Sequence, residues 1–153
     1  MKSEQVIAAV TQDRWSAVRG THDDDPFMFR YREGFCDVTD FSGYSRALVI
    51  TWTYTHDGYS GIPDRDELSE LEDFENRLVE CFEHDFLAVL DAVLTERGTR
   101  QWLFYASDIP ECQRRLGDMP QKSERYPIVL VTETDENWSR FHDKIQTICG
   151  SDV

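Results

Sequence analysis

Every histidine in this 153-residue chain is followed by aspartate: His22-Asp23, His56-Asp57, His84-Asp85 and His142-Asp143. Such a dipeptide serves metal-dependent phosphohydrolases of the HD type. That chemistry also needs further histidine and aspartate ligands at set places on several helices. Here the dipeptides at His22 and His56 fall in stretches that read as loops, so no metal site is expected. His22 with Asp23, Asp24 and Asp25 offers hard oxygen ligands but lacks the spacing and terminal glutamate of an EF-hand loop. Cys36, in GFCDV, becomes a nucleophile only if a histidine approaches it in space. The chain has no G-x-S-x-G, no P-loop and no G-x-G-x-x-G. Glu72 and Asp73 are adjacent on a predicted helix, about 100° apart around its axis, so they do not converge on one bond. The expectation is a protein that is not an enzyme, with no catalytic residues and no cofactor.

Acidity is the stronger chemical signal. Residues 61–85 (GIPDRDELSELEDFENRLVECFEHD) hold ten acids and two arginines, a net of minus eight out of minus fourteen for the whole chain. The same stretch reads as one amphipathic helix. Pro63 breaks the preceding segment. Asp64 is placed to cap the first turn, with Glu67 at capping-box spacing. Leu68, Leu71, Phe74, Leu78 and Phe82 recur in steps of three and four and form a core stripe, widened by Val79 and Cys81. The other face is expected to carry Glu70, Glu72, Asp73, Glu75, Glu80 and Glu83. The two uses of that face are plain solubility and docking on a basic partner. The docking use selects Asp66, Glu70, Asp73 and Glu80, with Asp23, Asp24 and Asp25 as a second patch.

The remaining elements position this helix. Residues 45–55 (SRALVITWTYT) alternate as a strand, with Leu48, Ile50, Trp52 and Tyr54 on one face. Residues 86–94 (FLAVLDAVL) fit a buried strand or a continued helix, and a strand is favoured after the break at His84-Asp85. Gly98 centres a turn into a strand at 101–106. Asp108 caps a second helix running to Leu116. Residues 128–133 form another strand, and 135–148 a last helix with Trp138, Phe141, Ile145 and Ile148 on one face. Residues 13–20 and 27–31 read as two earlier strands, after a segment at 1–10 that is mixed or a frayed helix. From residue 45 the order is strand, helix, strand, strand, helix, strand. That is a split-βαβ, ferredoxin-like unit: an antiparallel sheet with two helices on one face. The N-terminal strands would extend the sheet or form a second layer. One α+β domain over residues 1–153 is expected.

Trp52, Trp102, Phe104 and Tyr105 are assigned to the core. Tyr44, Tyr54 or Tyr59, if exposed beside the acidic helix, would make interface anchors. Arg30, Arg32 and Arg46 are expected to pair with internal acids. Cys36, Cys81, Cys112 and Cys149 form no C-x-x-C pair, which fits free thiols in a reducing cytoplasm. No apolar run reaches eighteen residues and no signal-peptide pattern is present, so a cytoplasmic protein that does not enter membranes is expected. The negative charge opposes nucleic-acid phosphates and anionic lipids.

Several motifs occur in order: W-T-Y at 52–54, G-I-P at 61–63, L-x-x-L-E-D at 68–73, R-G-T-R-Q-W-L-F-Y at 97–105, Y-P-I at 126–128 and D-E-N-W at 135–138. Together they resemble the bacterial domain-of-unknown-function family 695 over about residues 13–145. That resemblance supplies no activity and no catalytic residues. Members of this kind are sometimes joined to domains like the ribonuclease E regulator B family, company that suits an acidic inhibitor; no such additional domain is read here. The functional expectation is a non-enzymatic domain that inhibits or neutralises a basic partner, such as a toxin bound by its immunity protein or a nucleic-acid-acting enzyme. The alternative is a small enzyme or ligand-binding domain whose site, among Cys36, His56, His84 and nearby carboxylates, forms only in three dimensions.

Overall fold

One strand, Arg46–Thr53 (β3), dictates the layering. Leu48, Ile50 and Trp52 point one way and Ala47 and Val49 the other, and all five are buried. A strand apolar on both sides needs cover on both sides. The computed structural model, which describes residues 2–54, 63–119 and 128–149 and only the backbone of His22, supplies it. Its elements are Glu4–Gln12 (α1), Trp15–His22 (β1), Asp25–Arg32 (β2), a short 3-10 helix Glu33–Asp37, β3, Arg65–Glu83 (α2), Ala88–Glu96 (β4), Thr99–Ala106 (β5), Ile109–Asp118 (α3), Ile128–Thr134 (β6) and Ser139–Cys149 (α4).

The six strands form one sheet in the order β1-β2-β4-β5-β3-β6, every neighbouring pair antiparallel. The last four of these, β4-β5-β3-β6, carry the split-βαβ order. The N-terminal hairpin extends that sheet beyond β4; it does not build a second layer. The segment read at 86–94 is strand from Ala88 onward, and β4 is buried along almost its whole length between two strands. Arg97 and Gly98, both at positive φ, make the tight β4–β5 turn, and Asp23 and Asp24 make the corresponding β1–β2 turn. Positive φ at both central residues matches the twist of the joined strands.

One core lies under α2 and α3, where Leu71, Phe74, Leu78, Phe82, Ile109, Cys112 and Leu116 meet Leu48, Ile50, Trp52, Trp102 and Phe104. The other lies under α1, the 3-10 helix and α4, where Val6, Phe35, Trp138 and Phe141 meet Val49, Leu103 and Tyr105. The segment read from sequence at 1–10, as mixed or a frayed helix, belongs to α1, which forms because Ser3 caps it and Val6 and Ala9 are buried. The D-E-N-W motif has a structural use. Asp135 accepts the Ser139 and Arg140 amides at the start of α4 and the Tyr105 hydroxyl at 2.6 Å. Trp138 stacks on Tyr105 at 4.5 Å and donates its indole N–H to Tyr44 O. The expected core aromatics Trp52, Trp102, Phe104 and Tyr105 are all buried. Among the described residues, no helix is long and apolar enough to cross a membrane.

Asp64 caps α2 as its sequence indicates, accepting the Glu67 amide at 2.9 Å. Phe74, 1% exposed, packs between the rings of Trp52 and Trp102. In urea unfolding, Phe74→Ala is expected to cost about 3–5 kcal/mol, and Asp64→Ala about 1 kcal/mol. Equal losses would contradict this division between packing and capping.

Candidate functional site

At about 100° per residue, α2 presents three faces. Leu71, Phe74, Leu78 and Phe82 face the sheet. Asp66, Glu70, Asp73 and Glu80 share the opposite face and are exposed. Asp66, Glu70 and Glu80 make no ion pair among the described residues. The second patch differs. Asp23 and Asp25 at the β1–β2 turn pair with Arg97 of the neighbouring β4–β5 turn at 3.9 and 3.4 Å, while Asp24 is exposed. These pairs are largely solvated and contribute little stability.

The third face corrects the sequence reading. Glu75 and Glu83, assigned there to the outer face, turn toward the N-terminal hairpin. Glu75 Oε1 accepts hydrogen bonds from Arg30 Nη2 and from Trp102 Nε1, the latter at 2.9 Å. Glu83 holds Arg32 through both carboxylate oxygens and also accepts the Leu90 amide at 2.8 Å. The signal lay in the spacing: Glu75 stands four residues after Leu71 and four before Val79, inside the apolar arc. Arg30 and Arg32 are thus paired internally, as expected. Arg46 is not: it makes no ion pair among the described residues, and its buried Nε has no hydrogen-bond partner among them.

Arg32, 3% exposed, sits between the rings of Trp15 and Phe35 at 4.8 and 5.4 Å and also donates to Asp13. Beside it the β4 ladder is interrupted between Leu90 and Ala92. The intervening Asp91 is fully buried, and neither of its carboxylate oxygens has a hydrogen-bond partner among the described residues. Burial, opposed by Arg32, holds this carboxyl protonated well above the ordinary carboxylate range.

A cleft of about 470 Å³ opens between the third face of α2 and the hairpin. Strand pairing across the sheet sets its floor. One transverse row runs Arg19, Met28, Thr95 and Arg100, and the next runs Ala17, Arg30, Val93 and Trp102. Leu68, Glu72, Glu75 and Asn76 line it from α2. Neither Arg19 nor Arg100 was singled out in the sequence, because only strand register brings them together.

Among the described residues, the catalytic candidates do not assemble. Cys36 is exposed, and burial of its sulfur with the acids Asp37 and Glu33 pushes its thiol pKa up, which disfavours the reactive thiolate. His84 contacts Glu80 O and Asp85, not Cys36. His142 packs against the rings of Phe41 and Phe141. His56 and Tyr59 lie outside the described residues. Tyr44 and Tyr54 are buried and present no anchor at the acidic face. All four cysteines are free. Among the described residues, no group of three or more His, Cys, Asp or Glu is placed to hold a metal ion.

The model of the family of unknown function DUF695 matches residues 13–145. The chain belongs to this family. No curated protein and no solved structure matches it. In this DUF695 chain the matched span opens on Asp13, whose Oδ1 receives both Arg32 and the Trp15 indole. It closes on Ile145, which packs α4 onto the sheet. The family match therefore embraces the hairpin tie, the cleft and the outer face of α2 alike.

Glu83→Ala is expected to destabilise the DUF695 domain by about 3–5 kcal/mol in urea unfolding, because Arg32 is left buried with one exposed partner. Glu80→Ala, on the outward face, is expected to change stability by less than about 0.5 kcal/mol. An acid whose folded pKa exceeds its unfolded value contributes stability that is complete below the unfolded pKa, near 3.9, and lost as pH rises toward the folded one. Asp91→Asn is therefore expected to match the native protein near pH 4 and to exceed its urea midpoint at pH 8. A constant difference across that range would contradict the assignment.

Proposed function

We propose that this domain is a non-enzymatic binding protein that docks the outward face of α2 on a basic protein in the cytoplasm and inhibits or neutralises it. The partner class is a bacterial toxin met by its immunity protein, or an enzyme acting on nucleic acid. One observation carries the reading: Asp66, Glu70, Asp73 and Glu80 stand together on the solvent face of a single helix. The neighbouring acids Glu75 and Glu83 are already engaged in structural pairs. A row of carboxylates on a helix resembles a row of phosphates to a cationic cleft. It occludes such a cleft without entering its chemistry.

The net charge of −14 suits this role. It repels nucleic acid, and it attracts a basic surface before contact, which raises the association rate. The hairpin patch is the lesser contributor, since Arg97 offsets Asp23 and Asp25; Asp24 adds one further exposed carboxylate.

The test is a combined Glu70→Lys, Asp73→Lys and Glu80→Lys variant. A basic partner recovered by co-purification from the source cells would be measured against both forms. Close charge pairs across an interface couple by about 1.5–7 kcal/mol, so the reversal is expected to weaken binding at least about a hundredfold and to restore the partner's own activity. Native binding is expected to weaken as salt rises. A partner that binds the triple variant as tightly as the native protein excludes this face.

A further inference from the structure

We propose that the cleft between α2 and the β1–β2 hairpin binds a small organic carboxylate, with Arg100 as the anchoring cation. The cleft lies on the hairpin flank of α2, separate from the outward acidic stripe, and the proposal does not depend on that stripe's function.

Arg100 is 5% exposed and donates through Nε to Thr95 Oγ1 at 2.7 Å. Its terminal nitrogens make no hydrogen bond among the described residues, and no carboxylate forms an ion pair with it. Glu75, the acid with the larger charge effect on it, is occupied by Arg30 and Trp102. The Arg100 side chain is largely buried, but its terminal nitrogens open on the cleft and are donors that an anion can meet. Burial lowers the guanidinium pKa from the usual arginine value. Arg19 stands on the same transverse row at the outer strand. It is exposed and likewise makes no ion pair among the described residues. The floor and wall add apolar surface from Met28, Val93 and Leu68. A volume of about 470 Å³ lies within the range of small-molecule sites.

The charge balance selects the ligand. Three arginines, Arg19, Arg30 and Arg100, face two glutamates, Glu72 and Glu75, which leaves one net positive charge. That matches a monoanion; a phosphate dianion would also meet the two carboxylates. A guanidinium presents two parallel N–H donors that fit the two oxygens of a carboxylate. The apolar body of the ligand would rest on Met28 and Leu68.

The test is an NMR titration of the full chain with benzoate, and separately with hexanoate, at constant ionic strength balanced with sodium chloride. Phenyl phosphate is the comparator. The Arg100 Nε–H, the Trp102 indole N–H and the Leu68 and Asn76 amides are followed. Saturable shifts confined to these groups are expected with at least one carboxylate. Arg100→Lys is expected to weaken that affinity by about tenfold. Arg19→Ala, at an exposed position that cannot unfold the sheet, is expected to weaken it measurably. Should Arg100→Lys lose its native spectrum, Arg19→Ala decides alone. Arg114→Ala, in an ion pair on α3 outside the cleft, is expected to bind like the native protein. The proposal is overturned if neither carboxylate gives saturable shifts at the cleft, or if the arginine variants bind unchanged. Tighter binding of phenyl phosphate than of both carboxylates overturns the assignment of the ligand class.

Discussion

Two carboxylates on one helix, Glu75 and Glu83, tie α2 to the N-terminal hairpin through Arg30 and Arg32. The rest of the molecule is arranged around this tie. α2 covers β4, β5 and β3 on one side of the sheet but stops short of β2 and β1. On the opposite side the hairpin is covered, since Phe27, Phe29 and Tyr31 join the core beneath α1 and α4. Its other side has no apolar lid. Polar links from α2 hold it instead, and Arg32 is closed over by the rings of Trp15 and Phe35. Such pairs add little net stability compared with a packed apolar contact, yet losing one partner strands a buried charge. They fix how far the hairpin lies from α2. The β4 irregularity follows from the same tie: Glu83 takes the Leu90 amide, and Asp91 is left in the interior next to Arg32.

That spacing also sorts the acids of α2 by chemistry. Glu75 and Glu83, on the flank toward the hairpin, meet arginine and become structural. Asp66, Glu70 and Glu80, on the outward face, meet water and retain their field. The sorting leaves less negative surface than the sequence suggests, because Glu75 and Glu83 are withdrawn from it. What stays outward is a narrower stripe.

Much of this architecture was legible in the chain. Alternation at Leu48, Ile50 and Trp52 marked β3, Asp64 and the 3.6-residue period marked α2, and the order of elements gave the ferredoxin-like unit. Asp108 and Pro110 marked α3. The less legible parts depend on geometry that local patterns do not encode. Two-way sorting of α2 into apolar and polar residues put Glu75 outside, although its position lies within the apolar arc. The helix before β1 lacked a strong period because it is short and rests on only Val6 and Ala9. Asp91 interrupts an otherwise apolar run, a local sign of a buried titratable group, but the bulge that accommodates it depends on pairing with β5. The cleft was hidden for a simpler reason. Arg19, Arg30, Leu68 and Arg100 come from three strands and a helix, and only the register of β1, β2, β4 and β5 sets them side by side.

The net charge of the chain repels an anion, and where each charge sits decides whether the cleft can hold one. The outward carboxylates Asp66, Glu70 and Glu80 are in water, where ions screen them over about 8 Å at physiological ionic strength. Arg100 is buried against the sheet, where screening is weaker and the same unit charge exerts a larger local field. An anion in the cleft therefore feels the nearby guanidinium more than the net charge of the chain. Its entry is slowed by the surrounding negative surface, while its residence is set by Arg100 and Arg19. One helix thus separates two electrostatic environments: a solvated negative face that acts at a distance, and a desolvated mixed flank that acts only on contact.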